Sequence, residues 1–417
     1  MMQNYKTSLT TSKIFAALPI MQESDGLPTL FECLSHQDYQ NLELVACVNQ
    51  PEAYHKDPGK RNIIEDNIRC LQLLEAYAHS GMKLHILDHS SPGKGWSSPK
   101  IGVGMARKVI MDYIASIGSP DDLIVSIDAD THYPPAYFSV IKETLQKYPH
   151  ATGLCVPYHH PLTHDEETNR CLLRYEIYMR AYALNLLLIG NPYAFSALGS
   201  AMATTVKNYR RLNGITPVAA GEDFYFVQKW VKNGPVITWA TTKAYPSGRF
   251  SNRVFFGTGP AMIKGRGGDW SSYPIYHPDL FVPIRQTFES FELLFEKDIP
   301  TPLDDFFVKT FGTRYIWEPL RSNARSVETF TRACMQKLDG LRILQYLKAA
   351  QVERKIPDES GLNFLLSQLE GGENYILKET FATASIQTLD GIRMFMEDTE
   401  YRLRQAAPVV NQKYFSR

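Results

Sequence analysis

The first third of the chain alternates two hydrophobic rhythms. Short apolar runs, Ile14–Ile20 (I-F-A-A-L-P-I), Leu42–Val48 (L-E-L-V-A-C-V), Met82–Leu87 (M-K-L-H-I-L) and Leu123–Ile127 (L-I-V-S-I), have the length and composition of buried strands. Between them the spacing turns helical. Leu27, Leu30, Phe31 and Leu34 share one helical spacing with Pro28 near its start, and Ile64, Ile68, Leu71 and Glu75 precede Gly81 at another, with the apolar ones forming a core stripe. Met105–Ile117 is a further helix, so the four strands read as parallel β-α units. Thr152–Tyr158 is expected to add a strand and Asn169–Ile189 a long helix. From Glu289 onward the pattern is helical almost throughout, as in F-E-S-F-E-L-L-F-E-K. A Gly- and Pro-rich stretch between Gly257 and Pro300 marks the change. The expected class is α/β: a mostly parallel sheet flanked by helices over residues 13–260, then a mainly helical C-terminal extension over 261–417.

Charge and cysteine usage narrow the function. Lys+Arg and Asp+Glu both number 44 in 417 residues, so the net charge is +0 and no global field draws the chain to nucleic acid. Cys33, Cys47, Cys70, Cys155, Cys171 and Cys334 show no zinc-like spacing and read as thiols in a reducing compartment. The N-terminus lacks the apolar core of a signal peptide, and no run reaches the roughly 18 apolar residues of a membrane span. A cytoplasmic protein without a transmembrane segment is expected, with peripheral membrane contact left open.

Candidate chemistry begins where the fourth strand ends, at I-D-A-D-T-H-Y-P-P. Asp128 and Asp130 are two apart, so an extended chain points both to one side, where they repel unless a cation or proton intervenes. Ligands of open parallel sheets bind at the carboxyl ends of strands. The pair either holds a divalent cation shared with substrate phosphates or caps a polar turn. A second pair, Glu222 and Asp223 after Gly221, opens a helix carrying Phe224, Val227 and Val231 on one face. These carboxylates either cap that helix or supply a general base. In G-V-G-M-A-R-K, Gly102–Lys108, glycines precede an Arg and a Lys that could approach a nucleotide. Arg249 and Arg253 in S-G-R-F-S-N-R either face a diphosphate or form surface pairs.

The order of these pieces resembles a family 2 glycosyltransferase with the GT-A fold over roughly residues 13–260. The likeness lies in Pro19 ending strand one with Glu23 just after, Asn49 ending strand two, G-x-G-x-A-R-K, D-A-D after strand four, and G-E-D opening a later helix. It implies a nucleotide-diphosphate sugar donor near Pro19, Glu23, Asn49 and Arg107. Asp128 and Asp130 would match the motif that holds ribose and a metal-bound diphosphate, with Mn²⁺ or Mg²⁺ as cofactor. Asp223 would match the general base of an inverting transfer, with hexosyl transfer implied and Glu222 its neighbour at the acceptor, a glycan, lipid or small molecule. The chain departs from the family at Asn49, where Asp is frequent, and at Ile20-Met21-Gln22-Glu23, where Tyr-Asn-Glu is frequent. No Gln-x-x-Arg-Trp occurs, which argues against a processive polysaccharide synthase. His159, His160 and His277 are candidates for a third metal ligand. Two other readings compete. Phosphatases of the haloacid dehalogenase type also carry D-x-D after an apolar strand, though theirs usually continues to Thr or Val where His132 stands here. The other is a non-catalytic relative that binds a sugar nucleotide or a protein partner.

Overall fold

The computed structural model describes residues 12–79, 81–98, 101–218, 221–250 and 257–415. Strands β1 (Ile14–Ile20) and β2 (Leu42–Asn49) are buried at every residue, as fits strands covered on both faces. β3 (Lys83–His89) is only partly buried, and β4 (Leu123–Ser126) wholly so. β1 pairs in parallel with β2 and with β4, which sets Ala16 between Leu44 and Val125, and β2 pairs in parallel with β3. The four expected strands therefore lie parallel in one sheet. Short strands follow: β5 (Thr131–His132), β6 (Gly153–Cys155), β7 (Met202–Thr205), β8 (Val236–Ile237) and β9 (Tyr245–Pro246). β7, which no periodicity announced, runs antiparallel to β4 and β6, and β8 is parallel to β6. The order across these strands is β8-β6-β7-β4-β1-β2-β3, while β5 and β9 form a separate antiparallel pair.

Helices Leu27–Ser35, Arg61–Ala78 and Val103–Ile117 connect the parallel strands. The first buries Leu27, Leu30, Phe31 and Leu34 as its spacing predicts. The second differs from expectation: it buries Asn67, Cys70 and Leu74, and leaves Ile68 50% exposed. Asn67 explains the rotation. Its amide donates to Gln50 Oε1 at 2.8 Å and to Asn49 O, and its Oδ1 accepts from the Gln22 N–H at 2.9 Å. A buried amide with that many partners holds the helix to the ends of β1 and β2 more firmly than one isoleucine would.

The chain divides into two units, one running to His164 and resuming over Ser196–Gly267, the other comprising Asp165–Phe195 and Gly268–Arg417. The expected division at residue 260 differs from this at the long helix Glu166–Leu188, which belongs with the C-terminal helices. Its Leu173, Ile177 and Leu184 share a buried cluster with Leu362, Leu365, Leu389, Ile392 and Met396. The same unit buries a charge network. Arg180 donates to Glu176 at 2.6 Å and to Glu400 at 3.0 Å, and Arg404 donates to Glu400 at 2.8 Å. Among the described residues no helix is long and apolar enough to cross a membrane.

Candidate active site

The site is built at the carboxyl ends of β1, β2 and β4. β4 delivers Asp128 after the buried Ile127, and the turn beyond it is tied back on itself. The Asp128 N–H donates to Tyr133 Oη at 2.9 Å, and the Tyr133 hydroxyl donates to Ser200 O at 3.2 Å. Tyr133 is 1% exposed, so burial of its ring fixes the direction in which Asp128 leaves the strand.

Arg107 gathers the acids. Helix Val103–Ile117 turns this residue inward, where it is 4% exposed. Its Nη2 donates to Asp128 Oδ1 at 2.7 Å, and its Nη1 donates to Glu222 Oε1. Burial works against the guanidinium charge, but Asp128, Glu222 and Asp223 together hold its pKa above the usual value. The space is cut to size: a Cβ at Gly199 would lie 2.2 Å from Arg107 Nη2, and one at Gly104 2.3 Å from Val218 O. Lys108, the next residue, faces outward to Asp112 at 2.7 Å.

Glu222 and Asp223 begin helix Glu222–Asn233 immediately after Gly221, whose φ of 73° is left-handed and suits glycine. The helix is anchored by buried Phe226, Val227, Trp230 and Val231. Asp223 is half-buried, and its Oδ1 accepts from the Phe224 N–H at 2.7 Å. Burial first, and then the neighbouring Glu222 charge with a smaller push from Asp128, raise its pKa to about 7, against the opposing pull of Arg107 and the Phe224 N–H.

A second arginine serves the other aspartate. Arg249 Nη2 lies 2.7 Å from Asp130 Oδ2 and 2.8 Å from both oxygens of Glu23. Arg253 lies outside the described residues. Thus Asp128 and Asp130, two apart in sequence, each meet a different guanidinium. Asn49 and Pro19 are buried. The Asn49 amide is taken at both ends: it donates to Ile20 O at 2.8 Å and accepts from Trp96 Nε1 at 3.0 Å. Arg107, Asp128, Glu222 and Asp223 are thereby one cluster, Glu23, Asp130 and Arg249 another, and Asn49 braces the β1 and β2 ends. His132 Nδ1 lies 3.0 Å from Cys33 Sγ. The His159 ring packs edge-on against Tyr245 and that of His160 against Tyr158, and His277 Nδ1 accepts from the Asp279 N–H in the other unit. Among the described residues no other His, Cys, Asp or Glu completes a three-ligand group with Asp128 and Asp130.

In structure the chain is similar to several nucleotide-sugar proteins. Residues 1–349 of S. aureus TarS, solved with UDP-GlcNAc, match at a TM-score of 0.39 with 12% identity, covering 95% of this chain and 92% of that one. The mannosyltransferase PcManGT of Pyrobaculum calidifontis, solved with GDP-Man and Mn²⁺, gives 0.39 and 11% over 97% and 94%. Glucosyl-3-phosphoglycerate synthase of Mycobacterium tuberculosis, solved with Mn²⁺ and UDP-glucose, gives 0.33 and 13% over 64% and 83%. No protein-family model and no curated protein matches the chain. Likenesses this distant leave the function to be read from the site.

Sequence reasoning had no means of finding Tyr133 or Gly199. The Y-P-P after D-A-D marked only a turn, and Gly199 lies far along the chain from the guanidinium it accommodates. The pairing of Arg249 with Glu23 spans 226 residues.

Proposed function

We propose that the chain is an inverting glycosyltransferase that moves a sugar, a hexose on this reading, from a nucleotide-diphosphate donor to an acceptor hydroxyl. The observation that carries this reading is Asp223: a half-buried carboxyl with a pKa of about 7, beside a separate set of acids at the strand ends. A base is most effective when its pKa lies near the working pH, and Arg107 keeps that of Asp223 from rising further. In the reaction, the acceptor oxygen attacks the anomeric carbon as its proton passes to the Asp223 carboxylate. The bond from that carbon to the diphosphate breaks on the opposite face, which inverts the centre. Glu222 lies too deep, at 3% exposure, to be a base, and serves by holding Arg107.

Asp128 and Asp130 offer hard carboxylate oxygens with no third ligand among the described side chains, which fits Mn²⁺ or Mg²⁺ that completes its shell with phosphate and water. Bound there, the cation would neutralise the departing diphosphate. Six buried cysteines outside any disulfide suit a cytoplasmic setting. A second reading, a relative that binds sugar nucleotides without turnover, is favoured by one observation: each aspartate already has a guanidinium partner.

Thermal shift against a panel of nucleotide sugars, with and without Mn²⁺, followed by a transfer assay with the stabilising donor, separates the two. Asp223→Asn should retain the donor-dependent rise in melting temperature and lose at least about a hundredfold in transfer, the usual weight of a general base. Full transfer by Asp223→Asn removes it as the base, and tight donor binding with no turnover by the wild type supports the second reading.

A further inference from the structure

Arg249 meets both of its carboxylates through one nitrogen. Nη2 lies within 2.8 Å of Asp130 Oδ2, Glu23 Oε1 and Glu23 Oε2. A terminal guanidinium nitrogen carries two protons, so three acceptor oxygens share two N–H donors. Meanwhile Arg249 Nε is buried and has no acceptor among the described residues. The strong arginine–carboxylate arrangement is a parallel fork using two nitrogens. Arg249 makes no such fork with either partner among the described contacts. Charge holds it there more than matched hydrogen bonds do, on a side chain 37% exposed facing carboxylates 23% and 11% exposed, so the pair stays in reach of water.

We propose that Arg249 is an exchangeable counter-ion of Asp130, which a divalent cation displaces. The proposal rests on the reading of Asp128 and Asp130 as the metal-holding pair. A guanidinium is a diffuse monocation, whereas Mn²⁺ is a compact dication that ligates carboxylate oxygen directly, and the two repel across a shared carboxylate. Glu23 gains a definite part in this exchange. Its two oxygens keep Arg249 at the site after Asp130 is released, so Glu23 is a positioning residue for the arginine. The N–H donors of Arg249 that Asp130 gives up are then available to an anion that arrives with the cation.

The test is Mn²⁺ binding to the full chain without nucleotide, read from loss of the free-ion electron paramagnetic resonance signal, for wild type, Arg249→Gln and Arg249→Lys. Removing one partly exposed ion pair should tighten Mn²⁺ binding by Arg249→Gln roughly two- to fivefold. Arg249→Lys keeps a monocation and should bind as the wild type does, and it covers the case in which the glutamine variant folds poorly. Adding Asp130→Asn to Arg249→Gln should abolish the gain. Unchanged or weaker Mn²⁺ binding in Arg249→Gln, a gain that survives Asp130→Asn, or no binding in any of these proteins overturns the proposal. A chain that shows the gain yet never turns over a nucleotide sugar keeps the exchange and loses the proposed activity, and the opposite pair of results does the reverse.

Discussion

Replacing Arg107 with Gln tests the centre of the site most directly. In the wild type its guanidinium, 4% exposed, holds Glu222, 3% exposed, and the outer Asp128. The substitution leaves Glu222 charged and buried with no cation among its described partners. Removing one partner of a buried pair costs about 3–5 kcal/mol, far above the roughly 0.2–1 kcal/mol of an exposed pair. Asp128, whose side chain is 32% exposed, recovers hydration and adds little. At about 2–4 °C per kcal/mol for a domain of this size, the unit carrying the site should melt roughly 6–20 °C lower near neutral pH. Arg107→Lys keeps the charge but cannot fork between two carboxylates, so its loss should be smaller. Differential scanning calorimetry of the three proteins decides it. A Gln variant within about 1 kcal/mol of wild type, with impaired nucleotide binding instead, would refute the buried-clamp reasoning and return Arg107 to the donor.

Asp223 makes two pH predictions. Its folded pKa is raised from 3.8 to about 7, so the stability it contributes is fully present below about pH 4 and is lost as pH rises through about 7; Asp223→Asn should lack this decline in urea titrations across that window. Because transfer needs the carboxylate, kcat/KM of the wild type should climb through about pH 7 and level off above it, and a profile flat from pH 5 to 8 would remove Asp223 as the titrating base. Asn49→Ala should destabilise the chain by about 1–3 kcal/mol in denaturant titration, because it orphans Trp96 Nε1 and Ile20 O.

The parallel β-α units were legible because each strand and helix carries its own periodicity: β1 falls on Ile14–Ile20 as its apolar run indicates, and the Leu27–Ser35 helix buries the stripe its spacing marks. The Arg61–Ala78 helix escaped that logic, since a buried asparagine, which no hydrophobic pattern reveals, set its rotation. β7 escaped as well, being four residues long with a direction set by its neighbours.

For the site, the residue types were readable from the chain alone, because carboxylates that follow an apolar strand or open a helix are visible in one dimension. Their partners were not. The sequence placed Asp128 beside Asp130 and Glu222 beside Asp223, as neighbours in pairs. Folding regroups them: Asp128 joins Glu222 through Arg107, Asp130 joins Glu23 through Arg249, and Asp223 is left half-buried with a raised pKa. Charge and burial act through space over a few ångströms, whereas these partners lie up to 226 residues apart along the chain, so tertiary structure alone could decide which acid each cation holds and which acid remains to take a proton.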